Sequence, residues 1–181
     1  MIIGLVGRRA SGKDTVAQYL EKKYGYRHYD YTRDVLSPIL SKQGKPVTRE
    51  NLVRLAMSLR GKMGNAAPTM LLCRKISGKG DYVVSGIRFP EEVEYLRGRY
   101  GSGFTLVEVR SSHTARHERA VSRNIKGEGK LTYKAFMEKE GLPTEKILNE
   151  TVKMADRTVY NSGNVKDLHG KTDLLIRRLN R

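Results

Sequence analysis

The sequence predicts an α/β protein with three layers, a five-stranded parallel sheet held between two sets of helices. Three observations predict it. Short β-branched runs alternate with amphipathic stretches along the 181 residues, the order expected of βα units whose helices cover both faces of a parallel sheet. The first run leads directly into a glycine-rich turn that ends in Gly-Lys. The length suits one globular unit with a continuous core, so residues 1–181 read as a single domain.

Taken in order, Ile2–Val6 (IIGLV) reads as a buried strand. Lys13–Tyr24 follows as a helix with Val16, Ala17, Leu20 and Tyr24 on one side and Gly25 as its stop. A second strand falls on Arg27–Asp30, and the next helix runs through Val35, Leu36, Ile39 and Leu40 to a break near Gly44 and Pro46. Thr48 reads as an N-cap, with Asn51 where Glu or Gln would complete a capping box and Leu52, Leu55, Ala56 and Leu59 at helical spacing. A further helix covers Met70–Ile76. The third, fourth and fifth strands are Tyr82–Ser85, Phe104–Val109 and Thr158–Asn161. Residues 32–78 form a helical insertion, and the polar interval Ile125–Lys134 (IKGEGKLTYK) marks a mobile lid over residues 125–142.

Lysine and arginine number 35 against 19 acidic residues, a net charge of +16. Such a balance attracts polyanions, and nucleotides, RNA and DNA all qualify. A phosphate-handling enzyme that surrounds its anionic substrates with cations would show the same sign. Cys73, the single cysteine, lies in the apolar run MLLC. That excludes an internal disulfide and reads as a buried thiol in a reducing, cytoplasmic setting. The start MIIGLVG lacks the charge and cleavage site of a signal peptide, and no apolar stretch reaches membrane-spanning length. His28, His113, His117 and His169 have neither cysteine partners nor zinc-ligand spacing and read as structural or exposed.

Gly7, Gly12 and Lys13 match Gly-x-x-x-x-Gly-Lys, directly after one predicted strand and directly before a predicted helix. Around Ala10 and Ser11 the glycines let the backbone turn its N–H groups toward phosphate oxygens. The helix N-terminus adds partial positive charge, and Lys13 a mobile full one. Arg8 and Arg9 face solvent as readily as a phosphate. Asp14 stands where many such loops carry a magnesium-binding hydroxyl.

Gly12-Lys13-Asp14-Thr15 resembles the nucleoside monophosphate kinase branch of P-loop proteins, especially its adenylate-kinase-related and deoxynucleoside monophosphate kinase-like members, which tend to read Gly-Lys-x-Thr here. The resemblance extends to Tyr82–Leu96 (YVVSGIRFPEEVEYL), where Arg88 matches an arginine for the acceptor's phosphate. A planar guanidinium suits that task, because it grips phosphate through two parallel hydrogen bonds. These relatives end the strand in aspartate, whereas this chain has Ser85. For magnesium the resemblance therefore points to Thr15, Asp14 or Asp30. Asp30 reads equally as a cap for the helix after it.

Arg116, Arg119 and Arg123 in Thr114–Lys130 share one helical face by their spacing. The resemblance gives such arginines the transferring phosphoryl group, with Lys139 in FMEKEGLP the cation nearest to a further lid arginine. It also places Asn161 and Gly163 beside the adenine, although Asn, Ser and Gly equally make an ordinary turn. What it implies is a kinase that uses ATP and Mg²⁺. ATP is held by Gly7, Ala10, Ser11, Gly12, Lys13, Asp14, Thr15, Arg119 and Asn161, and transfer depends on Lys13, Arg88, Arg119 and Arg123. The acceptor would be a nucleoside or deoxynucleoside monophosphate, anionic and in need of no general base. Arg33, Arg49, Arg54 and Arg60 of the insertion are candidate anion contacts. Two alternatives stand beside it: a dephospho-coenzyme A kinase-like enzyme, and an RNA- or ribonucleoprotein-associated ATPase of the adenylate-kinase-like type. A monomer or dimer is expected.

Overall fold

A computed structural model describes residues 1–122, 131–141 and 143–180. Five parallel strands, β1 (Ile2–Val6), β2 (Arg27–Asp30), β3 (Tyr82–Ser85), β4 (Phe104–Arg110) and β5 (Arg157–Tyr160), lie in the order β2-β3-β1-β4-β5. Around them run α1 (Lys13–Tyr24), α2 (Ser37–Lys42), α3 (Arg49–Met63), α4 (Ala67–Cys73) and α5 (Pro90–Tyr100). Then come α6 (His113–Ser122), α7 (Tyr133–Glu140), α8 (Pro143–Lys153) and α9 (Val165–Leu179). The predicted fold class is the observed one.

Alternation along the strands decides which helix lies where, since successive side chains point to opposite faces. Ile3, Leu5, Val83, Val107 and Val159 pack with Val16, Ala17 and Leu20 of α1 and with Leu168, Leu175 and Ile176 of α9. On the other face, Ile2, Val6, Val84 and Leu106 meet Ala56 of α3, Leu72 of α4, Val93 and Leu96 of α5, and Leu148 of α8. The register pairs Leu5 with Ser85, Asp30 with Ser85 and Val6 with Glu108. The carboxyl ends of four strands thus meet at one sheet edge, the place where open parallel sheets bind ligands.

The departures from expectation have local causes. Before α2, residues Tyr31–Leu36 form a wider π-helical turn, with the Ser37 N–H bonded to the Thr32 carbonyl. Pro38 supplies no N–H at the next position, and a five-residue loop of backbone absorbs the break. The helix expected over Met70–Ile76 begins at Ala67 and ends at Cys73, because Pro68 sits in its first turn, where no N–H is required. Cys73 is buried as expected. Thr48 caps α3 by accepting the Asn51 N–H at 3.2 Å, while the Asn51 amide donates to the Pro46 carbonyl and closes no box. β4 runs on to Arg110 because Arg110 still pairs with Tyr160, and β5 starts at Arg157, one residue early, because Arg157 already pairs with Val107. Of the expected lid, residues 125–130 and 142 lie outside the described residues; the rest contains α7.

β1 runs through the middle of the sheet, and Gly4 makes room there. A Cβ at Gly4 would stand 2.7 Å from Ile87 Cδ1 and 2.8 Å from two ring atoms of Phe104, closer than side chains tolerate. Gly4→Ala should lower the free energy of unfolding by about 1–3 kcal/mol through overpacking. Urea denaturation of the two proteins measures it, with an unchanged m-value expected.

Candidate functional site

The turn between β1 and α1 is built from residues that accept a left-handed backbone. Gly7 has φ 148°, Ala10 57° and Gly12 103°. Glycine visits this region freely, whereas alanine does so against its steric preference. Ala10 is the one non-glycine with positive φ among the described residues. A Cβ at Gly7 would run into the Val109 carbonyl, and one at Gly12 into the Asn161 amide. The turn is closed by Ser11 N–H on the Arg8 carbonyl at 3.2 Å and continues into α1 through Val16 N–H on Gly12 at 3.0 Å. Such alternations of hand build the backbone concavities that hold anions, here at a helix N-terminus.

Lys13 folds back over this loop, its Nζ donating to the carbonyls of Gly7 at 2.7 Å and Arg8 at 3.0 Å. Its pKa is lowered to about 8, first by burial, with Asp14 and Glu145 acting to raise it and Arg88 and Arg116 to lower it further. Two acids and two arginines therefore share its electrostatic surroundings. Asp14 is exposed and Thr15 half-buried in the first turn of α1. The Ser11 side chain is buried, and its hydroxyl has no hydrogen-bond partner among the described residues.

Asn161 is the anchor of the loop. Its Nδ2 donates to the Ser11 carbonyl at 2.8 Å, its N–H to Arg110 at 2.7 Å, and its carbonyl accepts from Ser111 Oγ at 2.8 Å. Arg119 completes the group: Nη1 reaches Ser111 Oγ at 2.8 Å and Nη2 the Asn161 carbonyl and Oδ1 at 3.1 and 3.2 Å. Arg119 and Asn161, two of the residues expected to touch ATP, are thus tied to the ends of β4 and β5, and Asn161 holds the loop before α1 in place.

Arg116 points elsewhere. It is 1% exposed and grips Glu140 of α7 with both prongs, at 2.9 and 2.7 Å, while Nη1 also donates to the Arg9 carbonyl at 3.3 Å. Arg8 adds a bond to Glu140 at 2.7 Å and another to Asn149 of α8. Burial pushes the Glu140 carboxyl up, but its bonds and charge pairing with Arg116 and Arg8 bring it below the ordinary range. Arg116 and Arg119, three residues apart, therefore do not act on one face as their spacing predicts. Arg123 and the Lys139 side chain lie outside the described residues.

At the other end of the site, the exposed guanidinium of Arg88 pairs with Glu145 at 3.1 Å. Its backbone is held more tightly: the N–H bonds Glu92 Oε2 at 2.7 Å and the carbonyl accepts from Thr151 Oγ1 at 2.7 Å. Glu92 is fully buried and also takes Arg60 at 3.1 Å. Asp30 acts as the helix cap that its position allowed, its Oδ1 accepting from the Thr32 and Arg33 N–H groups. Its Oδ2 takes Ser85 Oγ at 3.3 Å, and Ser85 in turn lies 2.8 Å from His28 Nε2. No cluster of three or more His, Cys, Asp or Glu suited to a metal occurs among the described residues. In the insertion, Arg33 pairs with Asp34 and Arg54 with Glu50, as Arg60 does with Glu92. Glu140, Glu145 and Glu92 are the site residues that pattern reading missed. Each answers an arginine 24, 32 or 57 residues away in the chain, a separation that carries no local sequence signal.

Glu140 neutralises two cations, one of them wholly buried. Glu140→Ala should lower stability by about 3 kcal/mol, because it leaves Arg116 buried without its partner. The double variant Arg116→Met, Glu140→Leu should lose less than either single change in guanidinium denaturation. Since the folded pKa of Glu140 is lowered, its contribution is present above the ordinary carboxylate range and fades as pH falls through the folded value.

No protein-family model matches the chain. In sequence it is similar to a UPF0200 protein of Aeropyrum pernix, 28% identical over 168 residues that cover 93% of this chain and 88% of that one. A UPF0200 protein of Pyrococcus abyssi is 27% identical, with 99% and 97% covered. A UPF0200/UPF0201 protein of Archaeoglobus fulgidus is 29% identical over 98% of the chain, which spans 55% of that longer protein. In structure, TT1252 from Thermus thermophilus matches with a TM-score of 0.62 at 23% identity, covering 99% and 97% of the two chains. A shikimate kinase from Bacteroides thetaiotaomicron matches at 0.61 and 14% identity over 100% and 99%, and a gluconokinase from Sinorhizobium meliloti at 0.53 and 15% over 98% and 94%. The fold is that of P-loop kinases. No helix among the described residues is long and apolar enough to cross a membrane.

Proposed function

We propose that the protein transfers the γ-phosphoryl group of ATP to a small phosphate-bearing acceptor, with nucleoside and deoxynucleoside monophosphates the first acceptors to test. The observation that carries this reading is the loop at the head of α1, turned by Gly7, Ala10 and Gly12 and closed over by Lys13. It offers an anion cradle with a mobile cation on a kinase-like fold. Phosphoryl transfer asks little covalent chemistry of a protein; it asks for in-line positioning and for charge to be met.

In this scheme the loop N–H groups and Lys13 hold the β- and γ-phosphates. Arg88 takes the acceptor's phosphate, exchanging Glu145 for it. Arg119, seated against Asn161 and Gly163, borders the nucleotide from the β5 side. Thr15 fits Mg²⁺ best, as a half-buried hydroxyl two residues past Lys13. Asp14 is exposed, and both Asp30 oxygens are engaged, which leaves Asp30 a contact through water. When bound, the ion would screen the phosphate charge. The net charge of +16 favours a second reading, an ATPase that works on RNA, which would show salt-dependent RNA binding and ATP hydrolysis with no small acceptor.

An acceptor screen tests the proposal: ATP and Mg²⁺ with each ribo- and deoxynucleoside monophosphate and with dephospho-coenzyme A, following acceptor phosphorylation against free phosphate release. Lys13→Ala should lower kcat/KM by at least about a hundredfold, and full activity in that variant would sink the assignment. ATP affinity should fall as pH rises above about 8, where the empty protein's Lys13 loses its proton, by up to about tenfold per pH unit. Calorimetric titrations from pH 6.5 to 9.5 check this, and Lys13→Ala should remove the dependence.

A further inference from the structure

Among the charged groups around Lys13, Glu145 is the acid that keeps a buried oxygen without a donor among the described residues. It stands in the first turn of α8, and its side chain is 12% exposed. Oε1 accepts from Arg88 Nη1 at 3.1 Å. Oε2 is buried and has no hydrogen-bond partner among the described residues. Its charge reaches Lys13. Buried carboxylate oxygens without a donor are costly, and where a native fold keeps one, a functional reason is the first to seek.

The helix that carries Glu145 is held from both sides of the site. Asn149, one turn on, takes Arg8 of the phosphate loop. Thr151 bonds the Arg88 carbonyl, and Leu148 is buried in the core between them. Glu145 therefore sits on a rigid support against the arginine assigned to the acceptor and within electrostatic reach of the lysine assigned to the donor phosphates. A carboxylate there repels an incoming phosphate oxygen but suits a neutral hydroxyl, from which it can accept a hydrogen bond and then a proton.

We propose that Glu145 is the general base for a hydroxyl acceptor, so that the phosphate-bearing molecule held by Arg88 receives the new phosphoryl group on an alcohol oxygen. This rests on the ATP-dependent transfer proposed above. The alcohol oxygen forms its bond to the γ-phosphorus as the bond from that phosphorus to the β–γ bridging oxygen breaks. The hydroxyl proton passes to Glu145 Oε2, and ADP leaves with the bridging electron pair. The product is a phosphate monoester, whereas a monophosphate reacting through its phosphate would give an anhydride.

Three proteins decide it: wild type, Glu145→Gln, which keeps the shape and the oxygen facing Arg88, and Lys13→Ala. Each is assayed with MgATP and water as acceptor, then with adenosine 5′-monophosphate and its 2′,3′-dideoxy analogue, with products read by ³¹P NMR. The expected result is a kcat for E145Q about a hundredfold below wild type, with KM for ATP within twofold and the acidic limb of the pH–rate profile flattened. The retained KM shows that the variant is folded. Wild-type product should be a monoester formed from the hydroxyl-bearing acceptor alone. Undiminished kcat in E145Q, the monophosphate acceptor recovered as a nucleoside diphosphate beside the ADP released from ATP, or a defect cured by excess Mg²⁺ overturns the base while leaving the kinase reading intact. Wild type without turnover, or K13A as active as wild type, overturns the kinase reading and the base with it.

Discussion

A loop that turns three times through left-handed backbone cannot hold its shape by local contacts alone. Gly7, Ala10 and Gly12 allow the shape, and the bond from Asn161 Nδ2 to the Ser11 carbonyl, spanning 150 residues of chain, maintains it. Both partners are buried. In that low-dielectric setting, a satisfied bond rigidifies and an unsatisfied one is expensive. Everything else at the sheet edge depends on this tie. It sets the head of α1 against the ends of β4 and β5, fixes where Lys13 lies and makes room for Arg119 beside Ser111.

A chain of net charge +16 must also dispose of its cations near the site. Its arginines do not simply point outward. Arg116 and Arg8 close on Glu140, Arg60 on Glu92, and Arg88 on Glu145. Each acid comes from a helix distant in sequence from its partner. The pairs therefore join α7, α5 and α8 to the loop, the insertion and the β3 turn. Arg60 adds a contact over the Phe89 ring at 4.4 Å, a cation–π stack that steadies the same turn. The consequence is preorganisation: the side chains that would meet phosphates are aimed in advance, and the acids that aim them are those a ligand would displace or use.

How much of this was legible in the sequence differs by residue. β1, β3 and α1 were readable because β-branched runs, an apolar stripe and terminal glycines are local signals. The loop was readable because its chemistry needs glycine at set positions. Asp30 was readable only as a choice between capping and metal binding, and the cap is what the fold shows. Arg116 and Arg119 looked equivalent by helical spacing, yet one is buried in an ion pair and the other anchored to a turn. Spacing reports which residues share a face; it is silent on what faces them. The π-helical turn before Pro38 was likewise invisible, since apolar periodicity does not distinguish it from an α-helical one.

Local chemistry, carried by residue type and order, was thus enough for the parallel α/β class, the glycine-turned loop and the place of the lysine that folds over it. Those features arise from interactions a few residues apart, which composition and period record. The partners of the charged side chains, the anchoring by Asn161, and the burial of a bare Glu145 oxygen beside Arg88 came only with packing. They join segments tens to more than a hundred residues apart, and no one-dimensional pattern encodes which distant helix supplies the answering charge.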